Sequence, residues 1–411
     1  MDILKVRDAA DVEQAVRAAI ASEQPLEIIG HGSKRNVGQP LETNAVLDIS
    51  ALNAVTSYEP SELIITVQAG APMADVLSLI DSRNQEFAFE PMNTARLLGT
   101  ADIGTIAGMI AAGFAGPRRI KAGAARDHLL GANAVSGFGD SFKAGGKVVK
   151  NVTGYDLCKL LAGSWGTLAV MTEVTLKVMP RAESECTLVL RGLDDLTANR
   201  AMTASLGSPY DVSGAAHVPT STQRGEDDAL ADRAQGEAVT LIRLEGIDAS
   251  VRHRAGSLSA MLNSFAAAEL VSDTASASLW SSVRDAMPLA HDGPFGAWPV
   301  WRIICPPASG GALGQTLQRD LGAVLFYDWG GGLIWAAVPP ADDAHAAALR
   351  AQVSAVDGHA SLIRAGEAIR RVVDVFQPQA RGLAALGERV RHSFDPKSIL
   401  NRGRMTRGIV R

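Results

Sequence analysis

Apolar and polar residues follow two different periods along this chain, and the changes of period mark its elements. From Asp8 to Ile20, Ala9, Val12, Val16 and Ala19 fall on one stripe, which predicts an amphipathic helix capped by Asp8. Leu26–Ile29, Ala45–Ile49 and Leu63–Val67 are short apolar runs that predict strands, and Pro72–Ser82 predicts a helix with proline near its first turn. Val174, Leu176 and Val178 then alternate with Glu173, Thr175 and Lys177, the period of a half-buried strand. Short elements joined by tight turns make this α+β material. We place a domain boundary at Pro180, with a first domain over residues 1–180.

Beyond that point the signals thin out. Pro219–Glu237 is polar and acidic and predicts an exposed loop, whereas Ala341–Ala355 predicts an alanine-rich helix. Leu383–Met405 predicts a helix followed by Phe394-Asp395-Pro396 and Asn401-Arg402-Gly403-Arg404-Met405. Residues 181–365 are expected to form a smaller α+β cap on a sheet with flanking helices. Residues 366–411 are expected to return and pack on the first domain.

Length and charge narrow the function classes. A chain of 411 residues suits two or three domains. Its net charge of −5 leaves no basic stripe to neutralise nucleic-acid phosphates. The three cysteines, Cys158, Cys186 and Cys305, are widely spaced and form no C-x-x-C pair, which argues against a disulfide framework or an iron–sulfur cluster held by this chain. No histidine pair has metal-ligand spacing, so no metal site is expected. The N-terminus lacks the apolar core of a signal peptide and no apolar run is long enough to span a bilayer. The expectation is a cytoplasmic protein whose membrane association, if any, comes through partner subunits.

Glycine changes the picture most. Fourteen of the forty glycines lie between Gly99 and Gly166, among Ala, Ile and Val, as expected where backbone approaches a bound group closely. An earlier loop, Gly30-His31-Gly32-Ser33-Lys34-Arg35-Asn36, follows a strand but is not a dinucleotide fingerprint. Arg35 takes the place of the third glycine, and no helix fits between Asn36 and Ala45. Successive N–H groups of a tight loop aimed at an anion suit it better.

The order of these segments resembles the FAD-binding domain of the vanillyl-alcohol oxidase, or p-cresol methylhydroxylase (PCMH), family. That family carries a pyrophosphate loop after an early strand, matched by Gly30 to Asn36, then a strand ending in glycine, matched by Leu63 to Gly70. A T-x-G-G-like turn follows, here Thr105-Ile106-Ala107-Gly108, with alanine at the first glycine of the pair. Gly166-Thr167 leads into the last strand. Lys150 to Leu160 and Tyr327 to Gly332 are similar to the smaller FAD-binding subunits of bacterial glycolate oxidases, and the closing Asn401 to Met405 resembles a motif of the wider flavoprotein group, although Arg402 stands where proline is usual.

The resemblance implies a two-part FAD-binding domain of this type followed by a smaller α+β cap, with FAD as the cofactor. It implies cofactor contacts from Gly30, His31, Gly32, Ser33, Lys34, Arg35 and Asn36, and from Gly104, Thr105, Ile106, Gly108 and Gly116. Further contacts are expected from Asp127, Asn151, Gly154 and Tyr155, and from Gly166, Thr167 and Val170. It also implies two partners, a larger flavin subunit and an iron–sulfur subunit of a glycolate oxidase complex.

Oxidising a 2-hydroxy acid on flavin requires a cation for the carboxylate and a base for the hydroxyl proton. Arg302, His359 and Arg364 are the candidates in the second part. Arg302 interrupts an apolar strand, where it faces either the site or solvent. Two readings stay open: a subunit of a glycolate dehydrogenase complex, or a self-sufficient FAD-dependent oxidase of another alcohol or hydroxy acid.

Overall fold

The computed structural model describes residues 2–43, 45–146, 155–222 and 228–407. Its first helix, Ala9–Ser22, starts where the Asp8 carboxylate accepts the backbone N–H of Asp11, and it buries Val12, Val16 and Ala19. That stripe packs on a three-stranded parallel sheet ordered Asp2–Lys5, Ala45–Asp48, Leu26–Ile29. A five-stranded antiparallel sheet completes the N-terminal part, in the order Val55–Glu59, Ile64–Gln68, Ala169–Lys177, Leu129–Ser136, Ser141–Gly145. Helices Met73–Asp81 and Ile106–Ala112 share the core with both sheets.

Eight antiparallel strands form the sheet of the second part. From edge to edge they are Ala268–Ser272, Ser184–Arg191, Val239–Gly246, Val212–Val218, Val324–Asp328, Leu333–Ala337, Val300–Ile304 and His359–Arg364. Side chains alternate between its faces. Trp301, Ile303, Ile334 and Leu362 lie in a core with helices Asp195–Leu206, Asp248–Leu262, Gly310–Leu321 and Ala346–Ser354. Phe326, Leu333, Trp335 and Ile363 lie in another core, with Val37, Leu97, Ala112 and Phe114 of the N-terminal part. The sheet therefore lies between its own helices and the first part.

Buried charges reinforce that junction. Arg243 donates to both oxygens of Glu90, at 2.7 and 3.0 Å, and Arg118 pairs with Glu86 and Glu245 at 2.6 and 2.8 Å. Burial would raise the Glu90 carboxyl, but Arg243 and Arg118 outweigh it and hold the group down to about 2. The chain end also returns to the first part: Ile399 and Leu400 enter its core, and Leu400 bridges to Leu26.

Two local expectations need correction. The polar stretch from Pro219 to Glu237 contains a helix, Ala229–Ala234, capped by Asp228 and anchored by buried Leu230 and Ala234. An i,i+4 apolar pair is too short to stand out in a polar stretch. In Ala341–Ala355 the helix begins only at Ala346, because Ala344 and His345 adopt left-handed backbone. Among the described residues no helix is long and apolar enough to cross a membrane.

Candidate functional site

The loop after the strand Leu26–Ile29 meets the turn before the helix Ile106–Ala112 at distances that exclude side chains. A Cβ on Gly30 would lie 2.5 Å from the Thr105 hydroxyl, and one on Gly104 would lie 2.3 Å from the Ser33 hydroxyl. Gly32 and Gly104 have φ of +71° and +91°, a region that favours glycine. Asp102 accepts the N–H of Gly104 at 2.7 Å, and Thr105 caps the helix through the N–H of Gly108. Two loops far apart in sequence thus form one rigid edge.

That edge borders a cleft enclosing about 110 Å³. Its walls are apolar: Ile28, Ile29 and Ile49 from the parallel sheet, Ala107 and Ala111 from one helix face, Ala169 and Met171 from a strand. Trp165 closes one end with φ of +53°, its carbonyl held by the Asn401 amide at 2.7 Å. Arg404 donates to the carbonyls of Arg35 and Val37, each at 2.9 Å, and to Glu27 at 3.1 Å.

The loop's cations are not equivalent. Arg35 is paired with Glu27, and His31 lies 3.0 Å from Asp102. Lys34 is half-buried, hydrogen-bonded to the Ser33 hydroxyl and the Ile103 carbonyl at 3.2 and 3.1 Å, and makes no ion pair among the described residues. Desolvation lowers its pKa to about 8, against a weaker pull upward from Asp102. An enclosed ammonium beside a side-chain-free edge, under a wall of small and branched apolar residues, fits a molecule with a planar ring system and an anionic linker.

Of the residues expected from sequence, the structure gathers Gly30, His31, Gly32, Ser33, Lys34, Arg35, Thr105, Gly108 and Gly166 around this cleft. Gly104 braces it from behind, and Ile106 points into the core. Val170 also faces the core, while its neighbours Ala169 and Met171 face the cleft. Thr167 donates to the Ser164 carbonyl at 2.7 Å, and Asp127 accepts the N–H of Ala124, both within local turns. Gly116 lies against Glu90, Asn36 is an exposed turn residue, and Tyr155 is 91% exposed. Asn151 and Gly154 lie outside the described residues. The isoleucines, alanines and Met171 went unnoticed in the sequence because core and cleft wall use the same residue types.

A second cluster adjoins the first through aromatic rings. Phe114 meets Trp165 edge-on at 5.9 Å, and the Arg302 guanidinium lies 5.7 Å from the Phe114 ring and 5.2 Å from that of Trp329. Arg302 pairs with Trp335 across the ladder and therefore shares the sheet face turned to the N-terminal part. Burial, then the nearby Arg119, lowers its pKa to about 10. His359 is at the exposed start of the adjoining strand, and its pKa is lowered by partial burial, Arg302 and Arg119. Asp328 is buried and pushed up to about 7 by desolvation.

Arg364 sits elsewhere. Its guanidinium donates to the carbonyls of Trp298, Leu97, Leu289 and Phe295 at 2.6–3.2 Å, tying three segments together.

Residues 3–145 match the family described as "FAD binding domain". The glycolate oxidase subunit GlcE of Escherichia coli (strain K12) is 30% identical over 399 residues, 95% of each chain. The glycolate oxidase subunit GlcD of Bacillus subtilis (strain 168) is 33% identical over 173 residues, 41% of this chain and 35% of that one. The solved structure of p-cresol methylhydroxylase with substrate bound shares the fold, with a TM-score of 0.72 at 13% identity over 100% of this chain and 89% of that one. The cofactor is FAD, and the chain belongs to the family of FAD-dependent oxidoreductases that includes the glycolate oxidase subunit GlcE.

Proposed function

We propose that this chain serves as an FAD-binding subunit in the oxidation of a small 2-hydroxy acid, with glycolate, giving glyoxylate, as the leading substrate. The supporting observation is identity to a glycolate oxidase subunit across nearly the whole of both chains. The likeness to glycolate oxidase subunits supports an assembly that would include a larger flavin subunit and an iron–sulfur subunit; this chain's own three cysteines are buried and separated.

FAD, when bound, accepts the two electrons released from the substrate carbon. The loops Gly30–Asn36 and Gly104–Gly108 would hold its anionic part, with the Lys34 ammonium as the nearby counter-charge. Ala107, Ala111, Ala169 and Trp165 would exclude water from its rings. Arg302 presents a desolvated planar fork suited to a carboxylate. His359, with its lowered pKa, is neutral near pH 7 and able to take the hydroxyl proton. Arg364, engaged by four carbonyls, has no part in this scheme.

The test is the visible spectrum of the purified chain before and after anaerobic glycolate. A yellow protein that bleaches supports catalysis in this chain, and one that bleaches only with partner subunits present supports the complex. A protein that stays colourless after reconstitution with FAD, or that no partner combination makes responsive to glycolate, would overturn the proposal.

A further inference from the structure

Two arginines from opposite parts of the chain stack on one indole, and neither is neutralised. Arg119, in the turn of helix Arg119–Ala122, places its guanidinium 4.4 Å from the Trp329 ring centre, and Arg302, on the eight-stranded sheet, lies 5.2 Å from it. Among the described residues neither guanidinium has a hydrogen bond or an ion pair. Arg118, one residue earlier, contrasts sharply: three carboxylates, Glu86, Glu90 and Glu245, surround it. Three of the local carboxylates are thus engaged by Arg118 and Arg243, and among the described residues none forms an ion pair with Arg119 or Arg302.

Their shared platform is held firmly. The Trp329 indole N–H donates to the Gly116 carbonyl at 3.0 Å, across the junction, and its backbone N–H donates to Asp328 at 2.7 Å. The two guanidinium charges are close enough that Arg119 depresses the Arg302 pKa, and both depress that of His359. Like charges gathered around one aromatic ring, with no carboxylate in an ion pair with either among the described residues, are relieved by an incoming anion. Asp328 exerts only a weak pull on Arg302, being itself pushed up to about 7.

We propose that Arg119 is the second arm of a carboxylate clamp whose first arm is Arg302, so that the substrate anion is gripped from both parts of the chain. This rests on the reading of the chain as a hydroxy-acid oxidoreductase. A planar fork on each side selects small acids whose carboxylate reaches the junction, and neutral alcohols gain nothing from it.

The test uses the flavin-loaded full chain and oxalate, which offers a carboxylate but no carbon-bound hydrogen to lose, in titration calorimetry. Arg119→Gln and Arg302→Gln are each expected to weaken oxalate roughly tenfold to a hundredfold, the scale of one charge-assisted contact. The double variant should lose little beyond the weaker single, because both arms hold one anion. Arg119→Lys should restore part of the affinity, with flavin content and near-ultraviolet circular dichroism unchanged throughout. Oxalate binding unchanged by Arg119→Gln but weakened by Arg302→Gln overturns the clamp and leaves the hydroxy-acid reading intact. Loss of flavin or of tertiary signal in Arg119→Gln also overturns it, in favour of a structural stacking role. An unaltered protein that binds neither oxalate nor glycolate sinks both.

Discussion

The cleft edge at Gly30–Asn36 and the arginine pair on Trp329 are built in opposite ways. The edge turns on glycines, so its shape comes from backbone, and side chains of the facing loop lie within 3 Å of where a Cβ on Gly30 or Gly104 would be. The arginine pair is made of long side chains from two parts of the chain, positioned by a tryptophan and by the packing beneath it. A backbone edge tolerates almost no substitution, whereas a side-chain cluster loses one contact at a time.

The largest effect should therefore come from the edge. Gly32→Asp introduces a side chain at a φ of +71° and a carboxylate where an anion is proposed to lie, and is expected to abolish flavin retention. A normal ratio of flavin to protein absorbance in that variant would remove the anion-loop assignment. Arg243→Met should come next, leaving Glu90 buried with one of its two arginine partners gone. Breaking such a pair costs about 3–5 kcal/mol, read as a lowered midpoint in urea. An unchanged midpoint would show that apolar packing alone holds the two parts together.

Arg302→Ala should keep its flavin and lose turnover in the assembled enzyme, roughly tenfold to a hundredfold in kcat/KM. An unchanged rate would make Arg302 a structural arginine. The smallest effect is a pH dependence at Lys34. Its pKa is lowered to about 8 without a bound anion and must rise when an anion neutralises it, so binding takes up a proton above that pH. Flavin affinity should be level below about 8 and fall above it, by at most about tenfold per pH unit. Lys34→Met should bind more weakly and flatten that slope; the same slope in the variant would assign it to another group.

These contrasts also explain what could be read in advance. Gly30, Gly32 and Gly104 stood out in the sequence because backbone requirements restrict residue choice locally: a left-handed or crowded position leaves glycine as the residue that fits, whatever else surrounds it. The helix at Ala9–Ser22 and the strand at Ala169–Lys177 were legible for a related reason, since a buried stripe must follow the period of its element. The helix Ala229–Ala234 was not, having too few apolar residues to set a period against a polar background.

Side-chain partnership carries no such local mark. Arg302 and Arg364 both lie on apolar strands, yet one has its guanidinium against aromatic rings and the other is engaged by carbonyls from three segments. Arg118 and Arg119 are adjacent and chemically identical, and packing alone gives the first three carboxylates and, among the described residues, the second none. Sequence determined the glycine-rich edge of the cleft, because backbone geometry is written residue by residue. Which charges stay unpaired was decided only by the tertiary structure, because pairing depends on distances between elements that the chain order does not contain.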